Sequence, residues 1–116
     1  MYNPEQQAHF LNPDCGYICR MQCIQIKISG ELTQTGFPFY VKQFAYLNNI
    51  KGWVRHSDHT QIIIDAEGED ADINKFIEYC RIGPNGSVIS SINISHTEIK
   101  KYESFKIIEK QINPIL

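Results

Sequence analysis

The order of strand-type and helix-type runs is the sequence feature that most restricts the fold of this chain. Met21 to Ser29 alternates apolar and polar residues, which is the period of a half-buried strand. A glycine-bearing loop follows, and residues 39–49 then carry apolar side chains at helical spacing. The predicted apolar helix face consists of Val41, Phe44, Ala45 and Leu47.

The rest of the chain predicts four more strands and a second helix. The strand-type runs are residues 51–56, 60–67, 87–96 and 104–109. The first two of these are joined by a hairpin turn at 57–60. A second helical pattern, formed by Ile73, Phe76, Ile77 and Cys80, ends at Gly83-Pro84. The order β-α-β-β-α-β with a short terminal strand predicts an α+β, ferredoxin-like split βαβ fold, with two helices on one face of an antiparallel sheet.

Size and charge exclude several function classes. The 116 residues suit one domain, and a net charge of −2 without a basic block does not favour nucleic acid as a partner. No apolar run approaches the roughly 20 residues of a membrane helix, and residues 1–7 do not resemble a secretory signal, so we expect a cytoplasmic protein without membrane contact. We also expect a monomer. Residues 1–20 are polar, with Asn-Pro at Asn3 and Asn12, and predict an irregular N-terminal extension to a domain at 21–116.

The cysteines form a regular series that invites a metal interpretation. Cys15, Cys19 and Cys23 are spaced by four residues, and Cys80 is remote. On one helix this spacing would place three thiols on one face, but Cys23 falls in a strand-type run and the spacing matches no known zinc pattern. We therefore expect free structural thiols, with metal or redox chemistry as the open alternative.

The loop at 30–38 is the best candidate site. It leaves a predicted strand and opens a predicted helix, where unpaired backbone N–H groups meet the positive end of the helix dipole. Gly36 allows close approach of a ligand, and Pro38 suits the first turn because its missing N–H costs little there. The loop thus predicts a phosphate-sized cradle. It contains no lysine or arginine.

Several motifs together resemble the acylphosphatase family, over about Cys23 to Glu109. The family loop reads Gly-x-Val-Gln-Gly-Val-Gly-Phe-Arg, and this chain has Gly30-Glu-Leu-Thr-Gln-Thr-Gly36-Phe37-Pro38. The family's Gly-Trp-Val-x-Asn is matched here by Gly52-Trp53-Val54-Arg55-His56. Further matches are Ala66-Glu67-Gly68 after the third strand, Gly83-Pro84 after the second helix, and Phe105 in the last strand.

This resemblance implies hydrolysis of the carboxyl-phosphate bond of acyl phosphates, without metal or cofactor. In the family the loop arginine and backbone amides bind the phosphate, and the asparagine positions the attacking water. By resemblance the phosphate-binding loop consists of Thr33, Gln34, Thr35, Gly36 and Phe37. Pro38 stands at the arginine position and His56 at the asparagine position. Gln34 replaces the first glycine of the inner pair, which we expect to stiffen the cradle or alter its entrance.

The two replacements leave two hypotheses open. In the first, the domain is catalytically inactive or strongly impaired and binds a small anion, or a protein through its sheet edge or N-terminal extension. In the second, it is a divergent acylphosphatase in which His56 holds or deprotonates the water. Lys42, one turn after Pro38, is a possible replacement for the lost charge.

Other chemistry-bearing side chains receive structural interpretations. Alternation along the strand points Arg55 away from the His56 side. His59 and His96 are expected at the solvent-exposed surface, and Trp53 in the core.

Overall fold

The helices and strands follow the predicted order in a computed structural model, which describes residues 11–12, 17–18, 20–32 and 34–108. The strands are β1 (Leu11–Asn12), β2 (Tyr17–Ile18), β3 (Met21–Glu31), β4 (Lys51–Asp58), β5 (Gln61–Glu69), β6 (Val88–Thr97) and β7 (Phe105–Ile107). The helices are α1 (Phe37–Leu47) and α2 (Asp70–Ile82). The α+β, ferredoxin-like architecture is confirmed.

Five strands form the main sheet in the order β6-β3-β5-β4-β7. The pairs β3–β5, β3–β6 and β4–β5 are antiparallel, as predicted. The last strand differs from the prediction because β7 pairs with β4 in parallel, with Gly52 opposite Phe105 and Val54 opposite Ile107. The prediction of a purely antiparallel sheet was therefore wrong at the edge that β7 forms. The parallel pairing brings Ile107, at the end of β7, beside Val54 in the middle of β4.

One face of the sheet packs on both helices and forms the core. Alternate residues of the central strands supply Ile24, Ile26, Ile28, Val54, Ile62, Ile64 and Ala66. The helices contribute Phe37, Val41, Ala45, Ile73, Phe76 and Cys80. Leu47 was wrongly assigned to this face, because 71% of its surface is exposed. Fully buried aliphatic side chains are each worth roughly 1.5–3 kcal/mol, so this face supplies most of the stabilisation.

Gly52 explains one part of the Gly52-Trp53-Val54 motif. Its φ is +140°, and a Cβ built there would lie 1.8 Å from the backbone oxygen of Asp65. Every L side chain would therefore collide with the neighbouring strand, and only glycine allows β4 and β5 to pair at this point.

The described part of the N-terminal extension is more regular than predicted. Residues 11–12 pair with 17–18 as a short antiparallel sheet, with Leu11 opposite Ile18.

Cys15 and Cys19 lie outside the described residues, whereas Cys23 and Cys80 are buried free thiols. Burial raises the pKa of both thiols, so both stay protonated at neutral pH.

Candidate functional site

The loop between β3 and α1 has the backbone shape of a cradle. Gln34 and Gly36 both adopt left-handed conformations, with φ of 62° and 72°. Gly36 is the residue before α1, and its carbonyl accepts the first helical hydrogen bond from Tyr40 N–H at 2.9 Å. The first N–H groups of the helix have no intrahelical partners and give this end a positive potential.

Gln34 adopts its left-handed conformation at a cost in conformational free energy. A left-handed conformation costs a non-glycine residue about 1–2 kcal/mol, because Cβ approaches the backbone. Glycine would adopt it freely. The structure therefore gives a physical reason why the family has a glycine at the position that Gln34 occupies here.

The other loop residues act through their backbone or hold the loop. The Thr35 hydroxyl donates a hydrogen bond to the Leu32 carbonyl at 2.6 Å, which fixes the turn. The Phe37 side chain is fully buried and meets the Tyr40 ring edge-on at 5.7 Å. Thr33 lies outside the described residues.

The structure brings the loop and His56 together at one cavity of about 410 Å³. His56 is half-buried on β4, opposite Ile62 in the sheet register, and on the side of the sheet that the helices cover. The residues lining the cavity are Gln34, Gly36, Pro38, Phe39, His56, Ile107 and Ile108. Sequence reasoning missed the last two and Phe39. Only the parallel position of β7 beside β4 reveals the two isoleucines.

Charge is the property that this cavity lacks. The described residues that line it include no lysine and no arginine. Lys42 lines a different cavity of about 230 Å³, together with Lys51 and Glu103. Arg55 projects on the other side of the sheet, where its guanidinium lies 5.7 Å from the centre of the Trp53 ring. The walls are instead largely apolar, and Phe39 is 72% exposed at the mouth.

A second polar cluster lies on the sheet face that the helices leave uncovered. The Glu67 carboxylate accepts hydrogen bonds from the backbone N–H groups of Lys100, Lys101 and Tyr102, at 2.6, 3.1 and 2.8 Å. Lys101 has a left-handed φ of 61°, so three successive N–H groups converge on one anion. Glu67 is only 2% exposed, and these bonds compensate for its burial.

Asp65 extends this cluster toward β4. Its carboxylate accepts a short hydrogen bond from the Tyr102 hydroxyl, and the Lys100 ammonium lies 3.4 Å from the same oxygen. Trp53 Nε1–H donates to the Tyr102 oxygen at 3.1 Å. Trp53 is thus half-buried on this face and not in the core, which corrects the sequence prediction. The sequence signal for the cluster was two acidic residues in an otherwise apolar strand.

Comparison with known proteins identifies the scaffold. The family model described as Acylphosphatase matches residues 24–107. The chain belongs to the acylphosphatase family. An acylphosphatase from Methanothrix thermoacetophila is 28% identical over 86 residues, covering 74% of this chain and 96% of that protein.

Two solved structures extend the comparison. The acylphosphatase of Coxiella burnetii matches with a TM-score of 0.73 at 25% identity, over 76% of this chain and 93% of that one. Full-length HypF, solved in a phosphate- and nucleotide-bound form, matches at 34% identity with a TM-score of 0.72. That match covers 81% of this chain and 13% of HypF. The acylphosphatase fold thus occurs both alone and as a small part of a larger protein.

Two further properties of the described residues bear on function. Neither α1 nor α2 is long and apolar enough to cross a membrane. Among the described ranges, no group of three or more His, Cys, Asp or Glu side chains is arranged to hold a metal ion. His59 and His96 are exposed, as predicted.

Proposed function

We propose that this acylphosphatase-family domain is a binding module whose hydrolytic activity is lost or strongly impaired. The observation that carries the proposal is the cavity formed by His56 and the loop before α1, whose described lining contains no lysine and no arginine. The left-handed conformations of Gln34 and Gly36 before α1 support a loop backbone that can receive an anion. The permanent charge that would hold a dianion in place is not among these lining residues.

Electrostatics explains why this difference matters for the reaction. A guanidinium offers a planar pair of donors and a fixed positive charge to phosphate oxygens, and proline at position 38 offers neither. Removing one preorganised donor from developing charge costs about 10²–10³ in rate. The apolar walls at Phe39, Ile107 and Ile108 make the loss larger, because a dianion entering the cavity sheds water without a charged partner.

The retained features suit a weaker and less charged ligand. Backbone N–H groups at the start of an eleven-residue helix favour small anions, and Gln34 and His56 add hydrogen-bonding groups at the same cavity. The exposed Phe39 ring and Ile108 offer apolar contact at its mouth. A small anion or acidic protein segment therefore fits the cavity better than a phosphoryl substrate that must be polarised.

Benzoyl-phosphate hydrolysis by purified variants tests the proposal. We expect the unmodified chain to show no turnover above background, and Pro38→Arg with His56→Asn together to gain activity. Gln43→Arg, which adds the same charge at an exposed position of α1, is the matched control and should gain none. Turnover by the unmodified chain at a rate typical of the family would overturn the proposal.

One observation favours a second candidate function, a divergent acylphosphatase. His56 lines the same cavity as Gln34 and Gly36, so its imidazole shares the space in which a loop-bound phosphate and its attacking water would lie. In this alternative the unmodified chain hydrolyses benzoyl phosphate, and His56→Ala abolishes the activity. The same assay separates the two candidates.

A further inference from the structure

The two edges of the main sheet differ in how they are protected. Edge strand β7 is three residues long and carries Lys106, and both shortness and charge discourage pairing with another chain. The opposite edge, β6, runs for ten residues from Val88 to Thr97. It contains no Asp, Glu, Lys, Arg or Pro. No described strand pairs with its outer side.

The part of β6 that pairs regularly with β3 has an unusual sequence. A register shift opposite Ser29 and Gly30 places a bulge near Ser90, and from Ser91 to Thr97 the pairing with β3 is regular. Within this regular part, Ser91-Ile92-Asn93-Ile94-Ser95 reads the same in both directions. A strand of this kind is self-complementary, because an antiparallel copy centred on the same residue places like side chains opposite each other.

We propose that β6 is a homodimer interface in which two copies of this chain pair antiparallel about Asn93. Ile92 of one copy then lies opposite Ile94 of the other, and Ser91 opposite Ser95. The two five-stranded sheets join into one of ten strands. This inference replaces the expected monomer and does not depend on whether the cradle binds or hydrolyses anything.

Side-chain positions on β6 support a second copy as the occupant. Ile92 and Ile94 are half-buried against the core on the helix side, so their outer surfaces can cover each other across the two-fold axis. Ser91, Asn93 and Ser95 are exposed on the other face and bring no charge to the centre. A partner selected by charge would require an acidic or basic strand, and β6 offers neither.

The flanks of the strand add apolar area in the same register. Val88, at the start of β6, is 59% exposed, and Ile99, two residues beyond its end, is 40% exposed. Antiparallel pairing about Asn93 brings the start of β6 in one copy, which carries Val88, toward the end of β6 in the other copy, which Ile99 follows. The same two-fold axis therefore brings the exposed Val88 of each copy to the same end of the interface as Ile99 of the other.

Analytical ultracentrifugation of the full chain tests the interface. A single strand pairing buries a small area, so we expect a reversible dimer with a dissociation constant of roughly 1–100 µM. Asn93→Lys places two ammonium groups opposite each other at the axis and should weaken the dimer about tenfold or more. Asn74→Lys, the same substitution at an exposed position of α2, is the matched control and should leave the constant unchanged.

A pair of double variants tests the register. Ser91→Lys with Ser95→Glu places opposite charges against each other twice in the proposed dimer, and should associate at least as well as the unmodified chain. Ser91→Lys with Ser95→Lys places like charges there and should dissociate. A chain that stays monomeric at several hundred µM overturns the proposal, and so does a dimer that Asn93→Lys leaves intact. Equal behaviour of the two double variants overturns the register.

Discussion

Two loops of this domain contain a left-handed residue, and they differ in what lies against their backbone. In the loop before β7, N–H groups of residues 100–102 converge on the buried Glu67 carboxylate, and the Lys100 ammonium lies beside Asp65. In the loop before α1, the corresponding space is a cavity lined by apolar side chains and His56. The first loop is occupied by the protein's own carboxylate, whereas the second borders an open cavity.

The difference separates what the chain uses for stability from what it offers for binding. A buried carboxylate held by several hydrogen bonds, such as that of Glu67, is costly to remove, because its loss leaves the donors unsatisfied. An open cradle contributes little to folding and can change its side chains at little cost. Variants of the two loops should therefore fall into two groups, one that lowers stability and one that changes ligand binding.

Glu67→Ala should have the largest effect. It leaves three backbone N–H groups without their carboxylate, and hydrogen bonds to charged groups are worth about 1.5–3 kcal/mol each, so we expect a loss of about 3–5 kcal/mol. Urea unfolding followed by circular dichroism measures it. Glu98→Ala, an exposed residue of the same segment, is the control and should change stability by less than about 0.5 kcal/mol. Equal losses in both variants would contradict the anchoring role of Glu67.

Tyr102→Phe should have an intermediate effect that depends on pH. Losing the bonds to Asp65 and from Trp53 should cost about 1–2 kcal/mol at neutral pH. Burial, with the Asp65 hydrogen bond, raises the pKa of Tyr102 to about 12, compared with 10.0 for a free tyrosine. The unfolded chain therefore loses its proton first, and this contribution to stability is lost as pH rises from 10 to 12.

Unfolding free energies at pH 9, 10 and 11 measure how steeply stability falls as pH rises. The first of these lies below the free tyrosine pKa of 10.0. The phenylalanine variant should lose stability less steeply above pH 10. Burial also raises the pKa of Tyr40 to about 12, so part of the slope remains in the variant. An unchanged slope would show that the Tyr102 phenol is not held by the cluster.

His56→Ala should have a small effect on folding. The side chain is half-buried at the cavity, outside the hydrophobic core, so the unfolding free energy should change by less than about 0.5–1 kcal/mol. Thermal unfolding of His56→Ala and of Tyr102→Phe, measured under the same conditions, compares the two losses of stability. A loss as large as that of Glu67→Ala would mean that the cradle, too, is a structural anchor.

Lys42→Gln should have the smallest effect. Lys42 is exposed and lines the cavity near Glu103, so adding Lys42→Gln to the Pro38→Arg variant should leave the phosphate affinity of that variant unchanged. Titration with phosphate at low salt, where a remote charge acts most strongly, is the sensitive measurement. A drop in phosphate affinity for the double variant would show that Lys42 supplies positive charge to the cradle.

The fold followed from the sequence because its signals are local. Each sequence pattern depends on a few neighbouring residues: alternation predicts strands, helical spacing predicts helices, and Gly83-Pro84 ends the second helix. Together these patterns specified the order of helices and strands. The same patterns do not show which strands become neighbours. They missed the parallel pairing of β7, and with it the isoleucines at the cavity.

The polar cluster of Asp65 and Glu67 could not be predicted either, because it depends on contacts between residues far apart in sequence. Asp65 and Glu67 were visible as acidic residues in an apolar strand, but their partners lie more than thirty residues later in an irregular segment. Trp53 was assigned to the core from its size, although its indole N–H reaches Tyr102 on the opposite face. The replacements Pro38 and His56 could be read from the motifs, while the apolar walls around them could not.

A phosphate titration followed at the backbone amide resonances of Gly36 and Phe37 tests the central claim most directly. We expect no saturable shift for the unmodified chain below about 10 mM phosphate. For Pro38→Arg we expect saturation at about ten- to hundredfold lower concentration, because one charged donor pair is worth about 1.5–3 kcal/mol. Saturation of the unmodified chain at micromolar phosphate, unimproved by Pro38→Arg, would contradict it.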